Sequence, residues 1–300
     1  MGKERCCRPT KARIKNSEMG GTNFHLSFEF FPPNTPDGWS KLLRSARRLQ
    51  NENPDFFSVT YGAGGSTKHR TFQTVKDLRA EGLNVNPHLS WGDVSREEIS
   101  LTVQSFLELG IEGMVVLRGD SPSGSVPSVM HNASELVRLI RHEIASDLQI
   151  YVAAYPEMHP DAQTPSKDLE FLLEKVQAGA NACITQYFYN ADAYLNFVER
   201  CRGFGINVPI IPGVMPIYNY DQLVRFSQNC GAEIPRWIER RMHEYRTNKK
   251  ALEEFGVDVV TELCERLRVQ GAPGFHFYTL NRALIPRQIL QNLNLQRATV

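Results

Sequence analysis

Between residues 25 and 293 the chain alternates two patterns. Short apolar, β-rich runs are followed, in every case but the second, by a stretch with helical spacing of apolar residues. The runs cover 25–31, 56–61, 84–90, 113–118, 150–156, 182–188, 208–214 and 275–280. Helical patterns fall at 37–52, 95–109, 134–145, 166–178, 191–201 and 220–230, then at 235–245 and 249–269 before the last run, and at 283–293 after it. The first places Leu42, Leu43, Ala46 and Leu49 on one face, and the second opens with a capping box, Ser95 to Glu98. Strands alternating with helices at this spacing favour a parallel sheet, and eight such units match a closed barrel in size. No Pro/Gly/Ser linker divides the run. The expected fold class is therefore α/β, a (β/α)8 TIM barrel spanning 23–300, behind a basic disordered tail at 1–22.

A barrel of this kind builds its site from the C-terminal strand ends and the loops after them. Polar residues interrupt the apolar runs at those positions: Glu29, Thr60, His88, Arg118 to Asp120, Tyr155 to His159, Gln186 and Arg282. Polar groups beside a barrel core cost free energy unless they are paired, so the clustering points to function.

Composition excludes several alternatives. The chain has 300 residues, 41% hydrophobic and 22% charged, enough to bury a large core. Formal net charge is +1, without the basic excess of a nucleic-acid binder. The charge is unevenly placed. Residues 1–20 hold six basic residues against Glu4 and Glu18, and the remainder holds 28 basic and 31 acidic residues. No apolar run approaches the roughly 18 residues that span a bilayer, and no secretory signal opens the chain. Cys183, Cys201, Cys230 and Cys264 read as reduced and mostly buried, Cys6 and Cys7 as tail residues, and no cysteine–histidine grouping has zinc spacing. The expected setting is cytoplasmic.

The motifs carry chemistry of differing sharpness. Glu29 sits among Phe28, Phe30 and Phe31; desolvation raises a carboxyl pKa and makes it a usable proton donor, the alternative being a strand-end ion pair. Arg118-Gly119-Asp120 offers a charge pair at a barrel mouth, or an ordinary turn. Gly62 to Thr67 offers backbone N–H groups to an anion, but lacks the third glycine of a dinucleotide fingerprint. Asp168 and Lys175 lie on one helical face after a rigid Tyr155-Pro156-Glu157-Met158-His159-Pro160 loop; a carboxylate suits ribose hydroxyls and a lysine suits phosphate. Gln222 and Phe226 at i, i+4 suit a flat heterocycle, and Arg282 an anionic tail. His25, His69, His131, His142 and His243 have no partner pattern and read as surface or packing residues.

Together, SFEFFPP (27–33), SVTYGAGGST (58–67), PHLS (87–90), LRGD (117–120), AAYPEMHP (153–160), AGANACITQYF (178–188), IIPGVMP (210–216) and FHFYTLNRA (275–283) resemble the methylenetetrahydrofolate reductase family, in its order. The resemblance implies a (β/α)8 barrel with non-covalent FAD. It also implies a ping-pong reaction: NADH or NADPH reduces the flavin, and the flavin reduces 5,10-methylenetetrahydrofolate to 5-methyltetrahydrofolate, feeding methionine synthesis.

By resemblance, Glu29 is the general acid that opens the folate imidazolidine ring, and Asp120 the carboxylate near flavin and pterin. Thr60, Tyr61, Ala63, His88, Arg118, Gly119, Asp120, Ala133, Tyr155, His159, Asp168 and Lys175 match FAD-lining positions. Asp120, Gln186, Gln222, Phe226 and Arg282 match folate-side positions. The family forms homo-oligomers, and no nucleic acid or membrane partner is expected. The chain ends just after the matched strings, so no S-adenosylmethionine-responsive domain is expected. Two alternatives stay open: a ferredoxin or partner flavoprotein as electron donor, and a catalytically silent flavin- or folate-binding subunit.

Overall fold

The computed structural model describes residues 24–61, 68–91, 94–118 and 132–295. The basic tail expected at 1–22 lies outside these residues, as do Cys6 and Cys7, the Gly62 to Thr67 turn, Gly119, Asp120 and the segment through His131.

Among the described residues, eight strands close in chain order into one all-parallel barrel. They are β1 (His25–Phe30), β2 (Phe56–Val59), β3 (Val85–Ser90), β4 (Gly113–Leu117), β5 (Gln149–Ala154), β6 (Ala182–Tyr187), β7 (Ile210–Val214) and β8 (Gly274–Tyr278). Each expected strand is present to within two residues at either end. Strand residues alternate in direction. Leu26, Phe28 and Phe30 of β1 face outward into the core beneath the helices. Phe56, Val115, Ala182, Ile184 and Ile211 form a separate cluster that fills the barrel interior.

The helices are α1 (Pro36–Gln50), α2 (Lys68–Ala80), α3 (Arg96–Glu108), α4 (Ala133–Leu139), α5 (Pro165–Gln177), α6 (Ala191–Gly203), α7 (Tyr220–Cys230), α8 (Arg236–Tyr245), α9 (Lys249–Val269) and α10 (Leu284–Asn292). The capping box read from the sequence closes in both directions. Ser95 Oγ accepts from Glu98 N, and Glu98 Oε2 accepts from Ser95 N.

Two local features differ from expectation. Helix α2 was not read from the sequence, because two of its four buried residues are Thr71 and Thr74, which break the apolar stripe. The helical pattern at 134–145 is not one α-helix either. It passes into a π-helical turn at Ile140–Ile144, and Arg141 from that turn donates to Gly179 O and Asn181 Oδ1.

Candidate active site

Glu29 is the third inward position of β1, after His25 and Ser27, and stands opposite Ser58 and Tyr278 in register. Its side chain is 18% exposed, with Oε2 3.4 Å from His88 Nε2 and 3.6 Å from His276 Nε2. Burial raises its pKa, and proximity to His88 opposes the rise. The two imidazoles stay neutral. Burial brings His88 down to about 4 against the pull of Glu29, and His276 down to about 3. The arrangement is a carboxyl held toward its protonated form between uncharged rings, not a pair of full charges.

His88 Nε2, Ser58 Oγ and Asn86 Oδ1 are buried and lack hydrogen-bond partners. Ser58 and Asn86 face each other across β2 and β3. Buried polar atoms of this kind are normally satisfied, so these can take polar groups of a ligand or water.

Across the barrel the β6–β7 register shifts between Ile184 and Tyr187. A bulge there re-aims the side chain that follows. Gln186 is half-buried, and its Oε1 accepts from Tyr187 N. The freed Thr185 carbonyl accepts from Tyr278 Oη at 2.7 Å. Gly213 lies under this contact: a Cβ there would sit 2.1 Å from Thr185 O and 2.7 Å from the Tyr278 ring.

Five of the residues expected around FAD gather at the ends of β4 and β5 and on α5. Arg118 pairs with Asp161, whose N–H donates to His159 Nδ1. The His159 and Tyr155 rings meet edge to face at 4.5 Å, and Asp168 Oδ2 accepts from His159 N at 3.0 Å. Met158 takes φ +75° in this loop, a conformation costly for a side-chain residue, held between flanking prolines. Glu157 anchors the loop by accepting from Glu233 N. Burial, then the nearby Arg118 cation, keeps His159 below its usual range. Lys175 is half-buried and donates to Ala153 O at 2.6 Å, with burial lowering its pKa. Expected on a phosphate, it sits on the β5 backbone here. Thr60, whose carbonyl accepts from Thr71 Oγ1, and Tyr61 follow the end of β2; Ala133 opens α4. Ala63, Gly119 and Asp120 lie outside the described residues.

Gln222 and Phe226 line one small cleft with Met215, Tyr218 and Leu280. Arg282 stacks over Tyr218 at 4.8 Å, which joins it to this group. Leu280 and Asn281 both take positive φ, +51° and +57°. The Asn281 side chain offsets that strain by clamping Phe31, accepting from its N and donating to its O.

The barrel mouth thus pairs a desolvated carboxyl with a cation–carboxylate–aromatic set on one side and an amide–aromatic–arginine set on the other. The family model for methylenetetrahydrofolate reductase matches residues 13–294. This chain belongs to that family. The 5,10-methylenetetrahydrofolate reductase of Pectobacterium carotovorum subsp. carotovorum is 38% identical over 282 residues, 93% of each chain. That of Escherichia coli (strain K12) is 38% identical over 273 residues, 91% of each. Methylenetetrahydrofolate reductase (NADH) 1 of Arabidopsis thaliana is 36% identical over 299 residues, covering 94% of this chain and half of the plant protein. Among solved structures, a Clostridium thermocellum protein described as uncharacterized and as binding two copies of 5-methyl-5,6,7,8-tetrahydrofolic acid superposes with TM-score 0.63 at 18% identity. It covers 92% of this chain and 95% of its own, and shows a shared fold. Membership in the methylenetetrahydrofolate reductase family makes the chain an oxidoreductase of one-carbon metabolism.

Several residues at this reductase-family site were not singled out in the sequence. His276 and Tyr278 lie inside an apolar-looking run, and only their inward register reveals them. His25 is a correction: read as an ordinary packing or surface residue, it contacts Asp55 at 2.9 Å and Ser27 at 2.9 Å inside the barrel. His69, His142 and His243 are exposed, as expected; His131 lies outside the described residues.

Proposed function

We propose that this chain reduces 5,10-methylenetetrahydrofolate to 5-methyltetrahydrofolate with FAD as its cofactor and NADH or NADPH as electron donor. The observation that carries the reading is Glu29, a carboxyl biased toward its acid form at the mouth of a barrel in this family.

The donor set suits FAD. Arg118 supplies a cation for a pyrophosphate, Asp168 a carboxylate for ribose hydroxyls, and His88 an orphaned ring nitrogen for a polar edge. FAD, when bound, supplies the two-electron relay between nicotinamide and folate. The chain does the rest. Glu29 delivers a proton to a folate ring nitrogen, so that the imidazolidine ring opens to an iminium. Asp120 contributes negative charge near that cation. Gln222 and Phe226 orient the pterin, Gln186 serves both substrates in turn, and Arg282 holds the anionic tail of the folate.

The test is anaerobic. The purified protein should be yellow, bleach with NADH or NADPH, and regain colour on adding methylenetetrahydrofolate. Glu29→Gln should keep bleaching near parental rates and slow recovery about a hundredfold or more. A colourless protein that FAD does not reconstitute refutes the reading. Equal loss in both half-reactions refutes the general-acid role.

A further inference from the structure

The interior of β1 is unusual for a barrel. Branched apolar residues normally fill it, yet three successive inward positions are His25, Ser27 and Glu29. They span about 13 Å at the rise of a strand. Asp55, just before β2, and His276 of β8 complete a continuous polar line. Asp55 Oδ2 lies 2.9 Å from His25 Nδ1, His25 Nε2 lies 2.9 Å from Ser27 Oγ, and Ser27 Oγ lies 2.7 Å from His276 Nδ1. His276 Nε2 reaches Glu29 Oε2 at 3.6 Å. The middle of the line is sealed, Ser27 fully buried and His276 1% exposed, and the Glu29 end meets the barrel mouth. The other opens at the N-terminal face, where the Asp55 side chain is 31% exposed.

We infer that Asp55, His25, Ser27 and His276 form a proton relay through the barrel that recharges Glu29 from the face opposite the substrates. This rests on the general-acid reading of Glu29.

Every link supports two proton arrangements. With Glu29 protonated, its O–H donates to His276 Nε2, His276 Nδ1–H to Ser27 Oγ, Ser27 O–H to His25 Nε2, and His25 Nδ1–H to Asp55. With Glu29 ionised and His25 cationic, His25 Nε2–H donates to Ser27, Ser27 O–H to His276 Nδ1, and His276 Nε2–H to the carboxylate. Moving one proton along each of three bonds converts the second state into the first. His25 ends neutral, Glu29 ends as the acid, and solvent at the Asp55 end restores the His25 proton. Glu29 surrenders its proton to the folate nitrogen, and substrates cover its mouth side at that moment, so the closed side cannot readily resupply it. The 3.6 Å gap is the one link to tighten on catalysis, as such contacts commonly do.

The neighbours interrupt no link from Asp55 to His276, and at Glu29 Oε2 the His88 ring is a second contact at 3.4 Å. Glu29 is faced by His88 of β3 and by His276 and Tyr278 of β8. His276 is faced by Ser27, Glu29 and the rings of Phe56 and Tyr278. His25 is faced by Asp55, Ser27 and the rings of Phe56 and Tyr151. Tyr278 commits its hydroxyl to Thr185 O and offers Glu29 no competing donor.

Two measurements on the flavin-loaded protein test the relay. Ser27→Ala breaks the line without touching Glu29; Ser27→Thr restores a hydroxyl. Folate-dependent flavin reoxidation should slow about tenfold or more in Ser27→Ala, with an altered solvent deuterium isotope effect, and recover in Ser27→Thr. Flavin reduction by nicotinamide should stay within about twofold. Reoxidation at the parental rate and isotope effect in Ser27→Ala overturns the relay. The second measurement needs no turnover. Nitrogen-15 NMR of the histidines should show His276 protonated on Nδ1 when Glu29 is an acid and on Nε2 when it is ionised, with the switch lost in Ser27→Ala. A single fixed tautomer overturns the relay. A tautomer switch in a protein that never passes electrons to folate keeps the relay and refutes the folate reading instead.

Discussion

Acid should loosen this protein through two buried imidazoles. Burial keeps His88 neutral down to about 4, against 6.5 for a solvated ring, and His276 down to about 3. Between those values the unfolded chain binds a proton that the folded chain refuses. Stability is therefore fully present above 6.5 and is lost as the pH falls toward the folded value. One proton costs about 1.4 kcal/mol per pH interval of one, so His88 alone removes about 3 kcal/mol by about pH 4. Glu29 acts with the opposite sign. Its folded-state pKa lies above 4.5, so the folded chain binds that proton first, and stability rises as the pH falls through its window. The overlap hides His88 in the total slope, and a difference isolates it. Urea unfolding of the parent and of His88→Asn, followed by fluorescence from pH 6.5 down to about 4, should show the free-energy gap moving about 3 kcal/mol in favour of the variant. A gap that stays constant to within about 1 kcal/mol over that range refutes the claim that His88 is held neutral.

Other expectations follow from single contacts. Gly213→Ala drives a Cβ into the Thr185 carbonyl and the Tyr278 ring, and should lower stability by about 3 kcal/mol and disturb Gln186, seen in urea midpoints and a raised KM. Ser95→Ala removes one half of a closed capping box and should cost about 1 kcal/mol, read as a lower Tm, with Ser95→Asp close to parental. Arg282→Ala should raise the KM for the folate and leave flavin reduction by nicotinamide unchanged; stopped-flow measurement of each half-reaction separates the two.

Local pattern and tertiary contact divided the work unevenly. The strands were legible because a short apolar, β-rich run and the residues that close it are written within six or seven positions. Helix α2 was not, because Thr71 and Thr74 are polar by type yet buried by place. Glu29 was legible from its three phenylalanine neighbours, as was Tyr155 to His159 from its prolines. His276 was not, because nothing near it in sequence is its partner: Ser27 lies 249 positions away. Lys175 was assigned by charge and helical spacing, and its actual acceptor is a carbonyl on the neighbouring strand.

The sequence alone determined the order of the eight strands and of the helices between them except α2, the end of the barrel at which function gathers, and the family, since periodicity and motif strings are properties of consecutive residues. Only the closed barrel decided which inward residues meet. Closure brings β8 beside β1, sets His276 between Ser27 and Glu29, and turns three scattered polar residues and a distant histidine into one line of contacts. The reason is geometric: register across a closed sheet couples residues by height in the barrel, and separation along the chain carries no information about height.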